Sequence, residues 1–117
     1  MATARTLGAR SEQLARRYLQ RHGLQIVATN FNSRFGEIDI IATDSDCLVF
    51  VEVRYRSRNP ISRAAHTVDA RKQRRLTLAA HSYLARHPRF AASTCRFDIV
   101  GIDDDNISWL KDAFRPA

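Results

Sequence analysis

Glu37, Asp39 and Glu52 stand with Arg54 in one short stretch, GEIDIIATDSDCLVFVEVRYR, which runs from residue 36 to residue 56. Carboxylates gathered this way can hold a hard divalent cation. Mg²⁺ takes such oxygens at about 2.0 to 2.1 Å and keeps several waters for chemistry. The ordinary alternative is a proton shared between two acids, or two solvated side chains leaning apart.

The elements that must position these groups follow from strand alternation. Ile38, Ile40 and Ala42 fall on one side of a first strand, and Cys47, Val49, Val51, Val53 and Tyr55 on one side of a second, because successive side chains point to opposite faces. Joining the two apolar sets requires paired positions whose numbers sum to 91, with the turn around Asp44, Ser45 and Asp46. That register predicts Asp39 opposite Glu52 and Glu37 opposite Arg54. Opposed Cβ atoms lie about 4.5 to 5.5 Å apart, a distance at which like charges destabilise a pair. Asp39 facing Glu52 therefore asks for a compensating cation or proton.

The chain has 117 residues, 44% of them hydrophobic, which predicts one domain spanning residues 1–117 with a real core. Its net charge is +7 and its pI about 10.4, almost all of the excess being arginine, since Lys72 and Lys111 are the only lysines. Such a balance favours polyanions, and the planar guanidinium suits phosphate oxygens. Cys47 and Cys95 show no zinc-ligand or disulfide spacing, as expected for a reducing cytosol. The arginine-rich N-terminus lacks the apolar run of a signal peptide, and no stretch reaches the length of a membrane span.

Along the chain, Leu7, Leu14, Ala15, Tyr18 and Leu19 predict an amphipathic helix ended by Gly23. Strands are expected over residues 25–32, 36–43 and 47–55, and a polar surface loop over 56–66. A second helix is expected over residues 68–86, with an apolar stripe of Leu76, Ala79, Ala80, Tyr83 and Leu84. A fourth strand over 94–102, an acidic turn and a short fifth strand over 107–110 complete the pattern. A strand, a long helix and another strand form a crossover, so the sheet should be mixed, with helices packed on it. Trp109 and Phe114 are expected to anchor the C-terminus, and the four histidines to be surface or cap residues.

Glu12 lies about 140° around the first helix from Leu7, at the margin of the apolar stripe. It could supply a third acid to Asp39 and Glu52, or simply be a solvated residue favoured near a helix N-terminus by the dipole.

Glu12, Asp39 and Glu52-Val53-Arg54, in that order on a helix and two strands, resemble the PD-(D/E)XK nuclease pattern. The element order resembles the restriction-endonuclease-like αβββαβ core. More closely, the helix around Glu12 to Ala15, GEIDIIA, LVFVEVRYR, the Lys72 helix ending in HSYL, and RFDIV are similar to the YraN-type family of uncharacterised bacterial proteins, over nearly the full chain. The resemblance implies an α/β endonuclease-like fold, similar to Holliday junction resolvases. In it Glu12, Asp39 and Glu52 would bind Mg²⁺ or Mn²⁺ and a phosphodiester of DNA would be hydrolysed. A junction-cutting task would favour a symmetric homodimer. The competing expectation is a non-catalytic nucleic-acid-binding or assembly protein on the same fold.

One departure matters chemically. The nuclease pattern has lysine where this chain has Arg54, and a guanidinium that stays protonated cannot accept a proton from water. Arg54 can still orient a phosphate and stabilise its transition state, or serve only as an ion-pair partner of Glu37. Lys72 could reach the site as a substitute, or face solvent. Arg56, Arg58, Arg63, Arg71, Lys72, Arg74 and Arg75 form the expected nucleic-acid surface. Four of these crowd the start of the second helix, where cations oppose the dipole and phosphate is attracted.

Overall fold

The computed structural model describes residues 4–56, 68–103 and 106–116. Helix α1 (Ala4–Arg21) is followed by strands β1 (Gln25–Ser33), β2 (Gly36–Asp44) and β3 (Cys47–Arg56). Helix α2 (Ala70–Arg86), a 3₁₀ turn (Pro88–Phe90), and strands β4 (Thr94–Asp103) and β5 (Asn106–Phe114) complete the chain. The surface loop expected after Arg56 lies outside the described residues.

The five strands form one sheet in the order β1-β2-β3-β4-β5. β1, β2 and β3 are an antiparallel meander, β4 runs parallel to β3, and β5 is antiparallel to β4. The parallel step is the one bridged by α2, as a crossover requires. The architecture is thus α/β with a mixed sheet, and its αβββαβ order is compatible with a restriction-endonuclease-like core, extended by β5. None of the described helices is long and apolar enough to cross a membrane.

Both faces of the sheet are buried. Ala15 and Leu19 of α1 cover Ile40, Ala42, Val49, Val51, Val100 and Ile102. Leu76, Ala79, Ala80 and Tyr83 of α2 cover Ile38, Ile41, Leu48, Phe50, Phe97 and Ile99. Each fully buried aliphatic or aromatic side chain contributes about 1.5 to 3 kcal/mol, so this three-layer packing fixes where the strand ends lie. α1 ends at Gly23, whose φ of +94° suits glycine. Asp69 caps α2 by accepting from Lys72 N at 2.8 Å. Leu14 departs from expectation: it is 41% exposed, outside the stripe that Ala15 and Leu19 define.

The hairpin register is the expected one wherever the two strands pair, from Asp44↔Cys47 to Ile40↔Val51, around a Ser45-Asp46 turn. Ile38, however, packs in the α2 cluster with Ile41 instead of sharing a face with Ile40 and Ala42. The strand therefore changes face between residues 38 and 40. β5 is also longer than expected, reaching Phe114. Its sequence hides this because Asp112, at φ +51°, interrupts an exposed edge strand.

A polar hub ties β4 and β5 together away from that break. The wholly buried Asp98 carboxylate accepts from Arg96 Nε at 3.0 Å, Trp109 Nε1 at 2.9 Å and Asp112 N at 2.9 Å. Arg96 Nη2 reaches on to Asp44 at 2.9 Å. Trp109 and Phe114 anchor the C-terminal strand to the two cores, as expected from their types.

Candidate metal centre where two strands part

The break in β2 is centred on Asp39. The β1–β2 register passes from Thr29↔Ile40 to Phe31↔Ile38, and the β2–β3 register stops at Ile40↔Val51, so among the described pairs Asp39 is matched on neither side. Across from it Asn30 takes φ +52°, a left-handed conformation that asparagine tolerates better than most residues. Beyond this point β2 stays with β1 while β3 continues alongside β4 as far as Arg56↔Asp103. The Asp39 side chain fills the gap in the ladder, with Oδ2 accepting from Val53 N at 2.8 Å.

Where the strands part, acids from two layers meet. Carboxylate oxygens of Glu12 on α1 and of Glu37 and Asp39 on β2 all lie within 4.8 Å of one another. With its amide turned to satisfy both of its atoms, Asn30 donates to Glu12 Oε1 at 2.7 Å and to Glu37 Oε1 at 2.8 Å. Glu52, only 4% exposed, neighbours Asp39. Its Oε2 is 3.5 Å from both Arg54 Nη1 and Lys72 Nζ.

The electrostatics record this crowding. Burial, and then the neighbouring Glu52 charge, push the Asp39 carboxyl up to about 8, against the pull of its hydrogen bond from Val53. Burial and Glu37 raise the Glu12 carboxyl as well, partly offset by Arg16. The cluster disfavours its own full ionisation, which is the condition under which a bound cation gains most from binding.

Five of the expected site residues, Glu12, Asp39, Glu52, Arg54 and Lys72, lie near one another. Glu12 and Asp39 meet, and the third acid that meets them is Glu37, one of the carboxylates gathered in residues 36–56 and also a candidate partner of Arg54, while Glu52, expected as the third ligand, lies beside Asp39 and is paired with Arg54. The described contact of Arg54 runs along its own strand to Glu52, two residues away on the same face. Lys72, expected either on the nucleic-acid surface or in the site, reaches the site from α2. Arg71, Arg74 and Arg75 are exposed on the first turns of α2. Arg58 and Arg63 lie outside the described residues, as does the side chain of Arg56. The sequence signal for Glu37 was its i, i+2 relation to Asp39, whereas nothing in the pattern announced Asn30.

Fold and site together define an α/β protein with a mixed sheet and a carboxylate cluster at the point where two neighbouring strands separate. The chain belongs to the uncharacterised protein family UPF0102, whose model matches residues 11–102. It is similar to UPF0102 proteins of Nitrosococcus oceani (47% identical over 118 residues, 97% of this chain and 95% of that one) and Halorhodospira halophila (48% over 111 residues, 95% and 88%). A UPF0102 protein of Yersinia pseudotuberculosis is 49% identical over 112 residues, covering 95% of this chain and 96% of its own.

Proposed function

We propose that this protein is a divalent-metal-dependent nuclease that hydrolyses phosphodiester bonds of DNA. The observation that carries the reading is the meeting of Glu12, Glu37 and Asp39 within 4.8 Å, beside the nearly buried Glu52. Every donor is a hard carboxylate oxygen, the set that suits Mg²⁺ or Mn²⁺ and not a soft metal. Glu12, Glu37 and Asp39, the acids that meet, would hold the ion, with Glu52 beside Asp39 as a further carboxylate. When bound, such an ion supplies charge neutralisation on a phosphate and acidifies water at neutral pH.

The remaining work falls to side chains already in place. Arg54 and Lys72 bring two cationic groups to the edge of the acids, where they can orient a phosphodiester and offset charge developing on it. Arg54 does this without proton exchange. Arg71, Arg74 and Arg75 would supply backbone contacts beyond the site, so that these arginines and the acids would be spanned by one nucleic-acid strand.

One specific observation favours the alternative, a non-catalytic nucleic-acid-binding protein on the same fold. Glu52 already has Arg54 and Lys72, and Asn30 can satisfy Glu12 and Glu37, so the acids have internal partners. Incubating the protein with linear, flapped and four-way DNA in Mg²⁺ or Mn²⁺ separates the two. The nuclease reading expects cleavage that Asp39→Asn and Glu52→Gln abolish while binding survives. Binding without any cleavage by the wild type would leave only the second reading.

A further inference from the structure

We infer that the outer face of α1 is a second polyanion-binding surface, separate from the arginines of α2, which takes a further segment of nucleic-acid backbone. The inference rests on the reading of this protein as a nucleic-acid binder, not on its being a nuclease. Helix α1, ARTLGARSEQLARRYLQR, carries five arginines and one acid, Glu12. Glu12 is turned toward Glu37 and Asp39 at the site, which leaves the opposite side of the helix without a negative charge of its own.

Arg10, Leu14, Arg17 and Arg21 are all exposed, and at 100° per residue they fall within about 60° of arc. They make one straight row along the helix, about 17 Å from Arg10 to Arg21 at 1.5 Å per residue. The described ion pairs all lie elsewhere in the molecule. Arg21 is explained by the helix dipole, which favours a cation in the last turn. Arg10 and Arg17 gain nothing from it. Like charges at residues 10, 17 and 21, with Arg17 and Arg21 one turn apart, cost helix stability by self-repulsion, and a phosphate backbone is the partner that reverses the sign of that cost. Intervals of about 6 and 10 Å between neighbouring arginines match a duplex strand, which offers a charge every 3.4 Å or so along its axis, for side chains of this length.

The surface is distinct from that of α2 because the two helices cover opposite faces of the sheet. Their outer sides point away from each other, so a straight duplex lying on one cannot touch the other. An anionic membrane is the less favoured partner. An interfacial helix needs a broad apolar face turned outward, and here Ala15 and Leu19 are buried against the sheet while Leu14 is the lone large apolar side chain in the row.

The test is the salt dependence of binding to a duplex oligonucleotide, for wild type and for the triple variant Arg10→Gln, Arg17→Gln, Arg21→Gln, with a thermal melt to establish that the variant folds. Measured in a background in which Arg71, Arg74 and Arg75 are already Gln, so that the α2 arginines no longer compete for the duplex, the slope of log K against log salt should fall by about 2 to 3 on adding the α1 changes, near 0.9 per lost contact. A slope unchanged in a folded variant would overturn the inference while leaving nucleic-acid binding intact. Should the wild type bind no duplex at all, the underlying reading fails and this surface with it. Arginine-dependent binding to phosphatidylserine vesicles, with an unchanged duplex slope, would reassign the row to membranes and overturn the inference equally.

Discussion

Lys72 Nζ, in the first turn of α2, lies 3.5 Å from Glu52 Oε2 on β3, joining the helix that carries the basic surface to the strand that carries the acid. The contact crosses between layers, and its two ends differ in environment: the lysine side chain is 35% exposed and the glutamate 5%. A nearly buried carboxylate beside Asp39 and Glu12 depends on such cations, because removing one partner of a buried pair leaves a charge without compensation. Replacing Lys72 with Met, which keeps the apolar stem, should cost about 1 to 2 kcal/mol in urea unfolding. Combining it with Glu52→Gln should recover most of that loss. If Lys72→Met is neutral by itself, the contact is a solvated pair of no consequence for the site.

Asp39 gives the site a pH signature. Its carboxyl titrates near 3.8 in an unfolded chain and is pushed up to about 8 in the fold, first by burial and then by Glu52. Across that window the unfolded state binds fewer protons than the native one, so stability is greatest at the acid end and falls as pH rises toward 8. The slope from one such group approaches about 1.4 kcal/mol per pH unit. Asp39→Asn keeps an acceptor for Val53 N, so this variant should fold, lose the slope and be more stable than wild type at pH 8. Urea titrations at several pH values read this directly, and a slope surviving in the variant would assign it to another group.

Divalent ions should act on the same slope. If the acids hold Mg²⁺ or Mn²⁺, the ion stabilises the ionised cluster, and a 100-fold excess over the dissociation constant adds about 2.7 kcal/mol to the folded state. Wild type should therefore melt at higher temperature in millimolar Mn²⁺, most clearly near pH 8, and chelation should reverse the gain. Glu12→Gln and Asp39→Asn should each abolish the response. An equal metal response in those variants would place the binding elsewhere and remove the basis for the proposed chemistry.

How much of this was legible in the sequence depended on which force set each feature. The pairing of Ile40, Ala42, Val49 and Val51 followed from apolar alternation, since a slip by one residue turns a whole strand over. Ile38 was misplaced by the same rule, because β2 changes face at Asp39, opposite an Asn30 in a left-handed conformation on the neighbouring strand, and such a local irregularity leaves no periodic trace. The angle of Glu12 on the helix left it either a third acid or a solvated residue, and only the resemblance to the nuclease pattern placed it with Asp39. The Lys72 contact was left open because a lysine stem can reach inward or outward from one helical position. β5 was underestimated because an edge strand with polar and interrupted residues carries little hydrophobic signal.

Asp98 should behave as a structural acid, in contrast to Asp39. It is wholly buried and accepts three hydrogen bonds from Arg96, Trp109 and Asp112, so Asp98→Asn strips the charge that balances Arg96 and should cost about 3 kcal/mol or more. Trp109→Phe, which keeps the ring packing and removes one donor, should cost about 1 kcal/mol. Neither change alters the acids around Asp39, so metal response and nucleic-acid affinity should persist in whatever fraction remains folded. Loss of the metal response in folded Trp109→Phe protein would show that the hub and the site are coupled.

The basic face of α2 provides the test of what the acids are for. Arg71, Arg74 and Arg75 are exposed at the end of the helix that also delivers Lys72 to Glu52, so under the proposed function a backbone held by them would run up to the carboxylates. Replacing all three with Gln should lower the log K against log salt slope by about 2 to 3, with little effect on stability, since cations at a helix N-terminus oppose the dipole. Affinity should then drop for every sequence alike, because phosphate contacts carry no base information. If cleavage by the wild type is established, kcat/KM should fall through binding while a single-turnover rate at saturating DNA holds. A slope that does not change would move the phosphate contacts off α2 and break the link between that helix and the acids.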